Sequence, residues 1–429
     1  MTHRGDDLAQ ARTVHLGLVD ASGTLREKRL GPSAATHAIR AGWSFIDAVD
    51  WWGPDDTVWR SGGSRSVQAL VDVNSGRPYP FGDDAAFFLA DFIAPLRDLS
   101  ARARVQDLVE RAAASGVEAK VGWEFEFVVL DPGTGGSTPS LENNRCWSSL
   151  TMATEDEMVA GLVDTLADGA IPIDHVCAEL GPGCLEVAIA PEDALRSADS
   201  AALAKLYTKA YFARRGQQAT FMAQVGPQFP GLGGHPSLSL HSCVDREPVL
   251  CEKAGVLTKL GASAVAGVVA LVPELLALAA PYPNSYRRFG PGNWAPTTAT
   301  WGFDNYSCAV RAVADDPQTA RLELRAPGAD VSPHHVLALF LGAALWGIEE
   351  RLEPPPPVVS PSDARTHRGA VPFPRDLVEA ADHLADSAAA RDLFGARFVD
   401  HFAAARRVEA VACHRFVSAE ERARYLAQV

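Results

Sequence analysis

Two glutamates stand two positions apart in the segment KVGWEFEFVVL, residues 120–130. The segment is rich in β-branched and aromatic residues and alternates in polarity, which predicts a β-strand. Side chains at i and i+2 of a strand share a face, so Glu124 and Glu126 stand side by side while the neighbouring aromatic residues face a core. Adjacent carboxylates repel each other unless a cation or a substrate ammonium group neutralises them. The pair is a candidate metal site, although an exposed, salt-bridged strand edge would also account for it.

A second acidic pair lies in CAELGPGCLE, residues 177–186. The Gly-Pro-Gly at its centre forces a tight reversal, which predicts a hairpin with Glu179 on one arm and Glu186 on the other. The flanking residues are apolar, so both carboxylates extend from a packed hairpin. An ordinary surface hairpin is the alternative interpretation of this segment taken alone.

Two further predicted strands carry polar side chains on one face. In GGHPSLSLHS, His235 enters a strand from a glycine turn and shares its face with Ser239. In RLELR, Arg321, Glu323 and Arg325 alternate with leucines. A lone histidine is usually structural, and alternating charges usually mark an exposed strand. Beside the acidic pairs, these segments instead favour a histidine ligand and a fifth acidic ligand between two anion-binding arginines.

Together these segments supply five glutamates and one histidine, a donor set suited to hard divalent cations such as Mg²⁺ or Mn²⁺. Positive charge for phosphates and carboxylates comes from Arg287, Arg288, Arg311, Arg321 and Arg325. Metal ions with arginines suit phosphoryl transfer from a nucleotide, in which the protein mainly positions and neutralises. The sequence has no Walker A motif and no kinase glycine loop, so a different design for using ATP is indicated.

Composition narrows the classes of function. The chain has 429 residues and a net charge of −14 at pH 7, which argues against general binding of nucleic acid or anionic membranes. Its seven cysteines form no CxxC pair, which favours reduced thiols in a cytoplasm over disulfides or a zinc knuckle. The N terminus lacks the apolar region of a secretory signal. The most apolar run, residues 261–280, is interpreted as a buried helix.

Strand and helix patterns both occur, which predicts an α+β protein. Strands are predicted at 13–20, 25–30, 85–92 and 120–130, with a hairpin at 176–189. Helices are predicted at 101–115, 155–168, 191–216, 252–279 and 333–352, with one or two more within 374–406. Residues 1–100 are interpreted as a small mixed domain.

Five motifs occur in the order seen in glutamine synthetases. They are WEFEF at 123–127, AELGPGCLE at 178–186, TFMAQ…PGLGGHPSLSL at 220–240, NSYRRFGPGNWAP…WGFDN at 284–305 and RLELRAPGAD at 321–330. The chain resembles that superfamily from about residue 13 to its C terminus. The WAP and WGFDN segments most resemble its γ-glutamyl-amine ligase branch, the γ-glutamylpolyamine and γ-glutamylethanolamide synthetases.

The resemblance implies an N-terminal β-grasp domain, residues 1–100, and a catalytic domain, residues 101–429, with a curved antiparallel sheet and surrounding helices. It implies homo-oligomers built from hexameric rings, often stacked as dodecamers, with active sites between neighbouring subunits. The implied reaction is ATP-driven phosphorylation of the γ-carboxylate of glutamate or a close analogue. An amine then attacks the acyl phosphate.

The resemblance also assigns roles to single residues. Two or three Mg²⁺ or Mn²⁺ ions are expected in each site. One metal is held by residues matching Glu126, Glu179 and Glu186, and another by residues matching Glu124, His235 and Glu323. Substrate-binding positions match Arg288, Arg325 and Gly231. Nucleotide and phosphate contacts match Ser239, Arg311 and Arg321, and the catalytic positions are Arg311, Trp294 and Tyr306.

Trp294 departs from true glutamine synthetases, which carry a glutamate at this flap position to bind and deprotonate ammonium. An indole cannot accept a proton, but it can form an apolar or cation–π wall for an alkylamine. The residue therefore favours an organic amine over ammonia as the nitrogen donor.

The remaining departures keep other functions open. Ser237 replaces the second histidine of the family's HxH motif, and Tyr306 replaces an arginine that faces phosphate, leaving one neutral donor. Gln224 and Cys184 replace a lysine and a glutamine. A catalytically weak binding or sensor protein is one alternative, and a true ammonia-using glutamine synthetase is another.

Overall fold

Two β-sheets and their covering helices make up the computed structural model of the chain. The structure describes residues 11–59, 63–134, 138–141, 144–290, 292–360, 364, 367 and 369–426.

The smaller sheet is built from the first hundred residues. Its elements are β1 (Thr13–Val19), β2 (Leu25–Leu30), α1 (Pro32–Ala41), β3 (Trp43–Ile46), β4 (Ser66–Pro78) and β5 (Ala85–Phe92). The strand order is β2–β1–β5–β4–β3, with β1 and β5 parallel and the other pairs antiparallel. The strands predicted at 13–20, 25–30 and 85–92 are confirmed.

The larger sheet has nine strands. They are β6 (Val117–Asp131), β7 (Thr138–Pro139), β8 (Ile173–Ala178), β9 (Cys184–Asp193), β10 (Gln218–Thr220), β11 (Gly234–Ser242), β15 (Trp301–Phe303), β16 (Val310–Val313) and β17 (Arg321–Leu324). The order is β15–β16–β17–β11–β6–β9–β8, and β7 and β10 also pair with β6. Every pair is antiparallel except β15 with β16.

Two short ribbons and the helices complete the fold. The ribbons are β12 (Cys251–Lys253) with β13 (Val256–Leu257), and β14 (Thr298–Ala299) with β18 (Val371–Pro372). The helices are α2 (Ala101–Ala114), α3 (Ser149–Thr154), α4 (Asp156–Asp168), α5 (Ala194–Arg214), α6 (Lys259–Ala279), α7 (Pro333–Glu349), α8 (Leu377–Asp386), α9 (Ala388–Phe394), α10 (Ala396–His414) and α11 (Ala419–Tyr425).

Strand β6 separates the core from the polar face of the larger sheet. Its aromatic residues Trp123 and Phe127 are buried against α5, where the indole Nε1 donates to Ser197 Oγ at 3.0 Å and the Phe127 ring lies 5.8 Å from that of Phe212. The alternation of polar and apolar residues that predicted this strand therefore matches the burial of its aromatic side chains on one face. Glu124 and Glu126 lie on the opposite face.

Three predicted helix boundaries are wrong. The helix predicted at 252–279 begins only at Lys259, because residues 251–257 form the β12–β13 ribbon, whose turn places Gly255 at φ +71°. Residues 191–193 continue β9. The region 374–406 was predicted to hold one or two helices, but three begin there, α8, α9 and α10. Ser387 caps the N terminus of α9, and Gly395, at φ +83°, ends α9 before α10 begins.

Helix α6 is long and apolar enough, by length and composition, to cross a membrane, and it is the one such helix among the described residues. In the structure, 78% of its most apolar window is buried inside the protein. The core helix of a folded domain has the same composition, so the prediction of a buried helix at 261–280 is confirmed.

Candidate active site

Five of the predicted metal ligands lie on four neighbouring strands of the larger sheet, β17, β11, β6 and β9. Glu126 of β6 is paired with Glu186 of β9, and Glu124 of β6 is paired with His235 of β11. The next strand after β11 is β17, which carries Glu323. Antiparallel register therefore brings together side chains that are distant in the sequence.

The sixth ligand, Glu179, follows β8 at the predicted reversal. The turn is tight, because Gly181 and Gly183 adopt φ values of +106° and +70° that favour glycine. Oε1 of Glu179 accepts a hydrogen bond from the indole Nε1 of Trp147 at 3.1 Å, and Oε2 accepts one from the backbone N of Leu180 at 2.9 Å. The predicted hairpin is confirmed.

One possible metal position lies between Glu124, His235 and Glu323, each of which offers a ligand atom within 4.8 Å of the others. Nδ1 of His235 is 3.8 Å from Oε1 of Glu323, and Nε2 is 3.2 Å from Nη2 of Arg288. A guanidinium can only donate, so Nε2 accepts. Burial, followed by the nearby arginines, holds the pKa of His235 well below its ordinary value. The imidazole is therefore neutral with its hydrogen on Nδ1, and a metal ion bound to either ring nitrogen would replace the hydrogen bond from Arg288.

Glu323 is buried between two arginines. Nη1 of Arg311 donates to its Oε2 at 2.7 Å, and Nη1 of Arg325 donates to its Oε1. Arg311 also donates through Nε to the exposed Asp304 at 2.8 Å. These ion pairs fix two guanidinium groups at the edge of the acidic cluster, where they can interact with an anionic substrate.

The second predicted ligand group, Glu126, Glu179 and Glu186, is less compact, because it is not among the groups of described residues whose ligand atoms all lie within 4.8 Å of one another. Oε2 of Glu126 accepts a hydrogen bond from the backbone N of Gly233 at 2.9 Å. Sγ of Cys177 is 3.9 Å from Oε1 of both Glu179 and Glu186, so the thiol lies between the two hairpin carboxylates.

Three glutamates of the cluster have raised pKa values. Removal from water is the largest cause for Glu124, Glu126 and Glu186, and repulsion from neighbouring carboxylates follows for Glu124 and Glu186. Together these effects raise the pKa of Glu186 to about 9. A cluster that resists ionisation in this way is stabilised by a bound cation, and its oxygen and imidazole donors fit Mg²⁺ or Mn²⁺.

Arg288 and Gly231, predicted to bind the acid substrate, are in contact. A Cβ on Gly231 would lie 2.8 Å from Cγ of Arg288 and 3.0 Å from Cγ of Asn293, so a larger residue would displace one of them. Nη1 of Arg288 donates to the carbonyl of Ala326 at 2.9 Å, whereas its buried Nε has no hydrogen-bond partner among the described residues. A substrate carboxylate could satisfy such a donor.

Tyr306 lies against the arginines that hold Glu323. Its ring centroid is 3.9 Å from Cζ of Arg311 and 5.1 Å from Cζ of Arg325, and its carbonyl accepts a hydrogen bond from Nε of Arg325 at 2.8 Å. Both guanidinium groups are within the range of a cation–π interaction. The ring therefore supports two arginines in a region where the family has a third.

Trp294 is 75% exposed and directly follows the residue that ties its loop to the site. Oδ1 of Asn293 accepts a hydrogen bond from the backbone N of Gly231 at 2.9 Å, and its Nδ2 donates to Oε1 of Gln224 at 3.1 Å. The loop is thus anchored beside Arg288, while the indole remains accessible.

The predicted nucleotide contacts Ser239 and Arg321 line one cavity of about 460 Å³. Lys120 and Glu124 also line it, so the cavity is continuous with the acidic cluster. The volume is within the usual range for small-molecule sites. Arg311, the third predicted contact, lies instead on Glu323.

Two candidate ligands were not identified by the sequence analysis. His175 and Cys177 of β8, together with Glu186, offer ligand atoms that all lie within 4.8 Å of one another. The alternation of His175, Cys177 and Glu179 in HVCAE is the signal that could have identified them. The CxxC spacing rule does not detect a site shared between two strands.

The fold and this site define a ligase of the glutamine synthetase type. Residues 98–425 match the glutamine synthetase catalytic domain, and the chain belongs to that family. The predicted α+β fold with its curved sheet is confirmed.

The relatives with known names include amide-forming ligases. A glutamate–isopropylamine ligase of a Pseudomonas species is 32% identical, covering 96% of this chain and 95% of its own length. A γ-glutamylethanolamide synthetase of Streptomyces coelicolor is 31% identical, covering 92% of this chain and 88% of its own. The solved structure of GmaS in complex with ADP shares the fold, with a TM-score of 0.88, 24% identity and coverage of 99% and 100%. The predicted resemblance to the γ-glutamyl-amine ligase branch is confirmed.

Proposed function

We propose that the protein is an ATP-dependent ligase that joins the γ-carboxylate of glutamate, or of a close analogue, to an organic amine. The observation that carries this proposal is the group of Glu124, His235 and Glu323, with ligand atoms within 4.8 Å of one another and two arginines on Glu323. Buried metal donors with fixed arginines suit phosphoryl transfer to a carboxylate.

The metal ions would be held in two groups, and they would neutralise phosphate charge during transfer. Glu126, Glu179 and Glu186 would hold one Mg²⁺ or Mn²⁺ ion, and Glu124, His235 and Glu323 would hold another. The family resemblance also allows a third ion in the site. The raised pKa values of Glu124 and Glu186 support this assignment, because they arise from burial and from neighbouring negative charge.

The chain's own residues would position the reactants. Arg288 and Arg325 would hold the α-carboxylate of the amino acid, close to Gly231. Arg311 would neutralise the phosphoryl group as the γ-carboxylate attacks ATP, releases ADP and becomes an acyl phosphate. The nucleotide would occupy the cavity lined by Ser239 and Arg321.

The amine would then attack the acyl carbon and release phosphate. Trp294 supports an organic amine, since its accessible indole offers an apolar face and accepts no proton. The named ligases for isopropylamine and ethanolamine also support this choice.

Phosphate release tests the proposal. The protein would be incubated with ATP, Mg²⁺ and glutamate across a panel of amines that includes ammonia, isopropylamine, ethanolamine and putrescine. We expect release with at least one organic amine at a kcat/KM above that for ammonia. Ammonia as the best donor would establish a true glutamine synthetase instead. Tight ligand binding without turnover on any acid or amine would establish a binding or sensor protein.

Three further parts of the proposal concern the whole chain. We propose a β-grasp domain over residues 1–100 and a catalytic domain over 101–429, supported by the two separate sheets. We also propose a homo-oligomer of hexameric rings, stacked as dodecamers, and a cytoplasmic location. Mass photometry would test the assembly, with six or twelve chain masses as the expected result.

A further inference from the structure

Strand β8 adds a histidine and a thiol to the edge of the acidic cluster. His175 and Cys177 are two residues apart on this strand, and Cys177 is paired with Glu186 of β9. Nε2 of His175 is 3.7 Å from Oε1 of Glu186, and Sγ of Cys177 is 3.9 Å from the same oxygen. The three groups therefore converge on one point at the outer strand of the sheet.

The spacing of these atoms approaches that of a tetrahedral metal site. Zinc ligands at ordinary bond lengths lie about 3.4 to 3.6 Å from one another. The contacts of Glu186 with the imidazole and the thiol, 3.7 and 3.9 Å, are a few tenths of an ångström longer, and all three ligand atoms lie within 4.8 Å of one another. His175 is about half exposed, at 48% of its side chain, so an ion can enter from solvent.

A neighbouring carboxylate orients the imidazole. Oδ2 of Asp174 lies 3.3 Å from Nδ1 of His175, while Nε2 faces Glu186. A carboxylate on one ring nitrogen keeps the hydrogen there and leaves the other nitrogen as a metal ligand, the arrangement common around protein-bound zinc.

The donor set differs from the remainder of the cluster. A cysteine, once a bound ion has displaced its proton, and an imidazole select softer transition ions such as Zn²⁺ or Co²⁺, whereas the carboxylates suit Mg²⁺. A second thiol, Cys146, lies nearby with its Sγ 3.6 Å from Oε2 of Glu179.

We propose that His175, Cys177 and Glu186 form a site for a soft divalent transition ion such as Zn²⁺, distinct from the proposed Mg²⁺ positions but sharing Glu186 with one of them. Three protein ligands leave a fourth position for water. Because Glu186 cannot serve both ions with the same geometry, an ion at this site competes with Mg²⁺. Zn²⁺ is therefore an inhibitor of the ligase that acts through a cysteine.

Cobalt absorption tests the site without reference to activity. The full-length, reduced and metal-free protein is titrated with Co²⁺, and the near-ultraviolet charge-transfer absorption of a thiolate–cobalt bond is recorded. We expect this absorption in the wild type and in Cys413→Ser, which removes an exposed thiol on α10. It should be lost in Cys177→Ser. Absence from the wild type, or persistence in Cys177→Ser, overturns the proposal.

Two further variants separate ligand loss from misfolding. His175→Ala changes a half-exposed side chain and should weaken Co²⁺ binding, and Asp174→Asn should weaken it about ten-fold or more while the thiolate absorption remains. Unchanged Co²⁺ affinity in both variants contradicts the assigned ligands.

The inhibition experiment rests on the proposed ligase activity. In the phosphate-release assay with excess Mg²⁺, Cys177→Ser should need at least about ten-fold more Zn²⁺ than Cys413→Ser for half inhibition. Equal sensitivity of the two variants overturns the competition. A protein that shows the cobalt absorption but no turnover keeps the metal site and loses only the proposed function.

Discussion

The arginines beside Glu323 show how a single aromatic residue can act through its neighbours. Tyr306 presents its ring to Arg311 at 3.9 Å and to Arg325 at 5.1 Å. From the sequence, this residue was expected to supply one neutral hydrogen-bond donor in place of an arginine. The ring contacts indicate a further contribution of Tyr306 to the site, because the ring packs against the two guanidinium groups that also form ion pairs with Glu323.

Substitution of Tyr306 separates the ring from the hydroxyl. Tyr306→Phe keeps the ring and should retain kcat/KM within about two-fold, whereas Tyr306→Ala should lose about 2- to 30-fold, corresponding to a cation–π contribution of about 0.5 to 2 kcal/mol. Steady-state kinetics with varied ATP measures this. Tyr425→Ala, at an exposed tyrosine of α11, is the control and should have no effect. Equal losses in the Phe and Ala variants would show that the hydroxyl carries the effect.

Glu186 illustrates a conflict between stability and function. Its pKa of about 9 reflects a carboxylate held out of water beside other carboxylates, so the cluster is destabilising unless a cation is bound. In the metal-free protein at neutral pH, Glu186→Gln should therefore raise the melting temperature, because the amide needs no proton on folding whereas the carboxyl has to take one up. Added Mg²⁺ should stabilise the wild type, by about 2.7 kcal/mol at a hundred times its Kd, and should stabilise the variant much less.

Differential scanning fluorimetry with EDTA and with Mg²⁺ measures both effects. Glu247→Gln removes the same charge from an exposed position and serves as the matched control. If Glu186→Gln and the control shift the melting temperature alike, Glu186 is not part of the metal cluster.

The loop of residues 292–297 is connected to Arg288, the proposed substrate-binding arginine, through Gly231. Gly231 donates its backbone N–H to Asn293, and the space beside its Cα is filled by Arg288 and Asn293. Gly231 therefore connects the loop of residues 292–297 with Arg288, and the close packing leaves no space for a larger residue.

A methyl group at this position should disturb both partners. In Gly231→Ala, the added Cβ would lie 2.8 Å from Cγ of Arg288, which has to move. We expect kcat/KM for glutamate to fall about 10- to 100-fold with little change in the KM for ATP, because a misplaced binding group mainly affects its own substrate. Gly63→Ala adds the same group where no atom lies within 4 Å and should have no effect. A loss confined to ATP would contradict the assignment of Arg288.

The elements that were predicted correctly are those with a clear pattern of their own. The strand β6 alternates so regularly that its position and both its faces follow from the sequence, and the Gly-Pro-Gly reversal fixes the acidic hairpin. The ribbon at 251–257 was not predicted because its two strands have only three and two residues, too few for an alternating pattern, although Gly255 and the helix-capping Thr258 mark the break before α6. Cross-strand register does not follow from the sequence of a hairpin whose turn geometry is unknown. The pairing of Cys177 with Glu186 is therefore visible only in the structure.

The N-terminal sheet is joined to other parts of the chain by buried polar contacts. Arg102 of α2 is buried and donates to Asp91 of β5 at 2.7 Å and to Asp199 of α5 at 2.9 Å. One guanidinium group therefore connects a strand of the smaller sheet with a helix that packs on the larger sheet. Farther along the chain, Nε2 of His401 in α10 donates to the carbonyl of Asp50 at 2.9 Å. These contacts hold the N-terminal segment in a fixed position relative to the catalytic sheet.

Asp50 makes the stability of this arrangement dependent on pH. Its side chain is 4% exposed, and Oδ2 has no hydrogen-bond partner among the described residues. Burial, followed by repulsion from Asp20 and Asp47, raises its pKa to about 7. The folded protein therefore retains a proton that the unfolded chain releases near pH 4, and the resulting stability, on the order of 4 kcal/mol, is present at acidic pH and lost as pH rises through 7.

Replacement by the uncharged isostere should remove this dependence. We expect Asp50→Asn to match the wild type near pH 3, to gain on it as the pH rises from about 4 to 7, and to be more stable at pH 8 by up to about 4 kcal/mol, because the amide never ionises. Urea denaturation at a series of pH values measures the difference between the two proteins and cancels the titration of all other groups. Asp83→Asn, at an exposed carboxylate, is the control and should follow the wild-type curve. A constant difference between Asp50→Asn and the wild type across the series would mean that Asp50 stays ionised in the folded chain, and that its burial is compensated in the assembled protein.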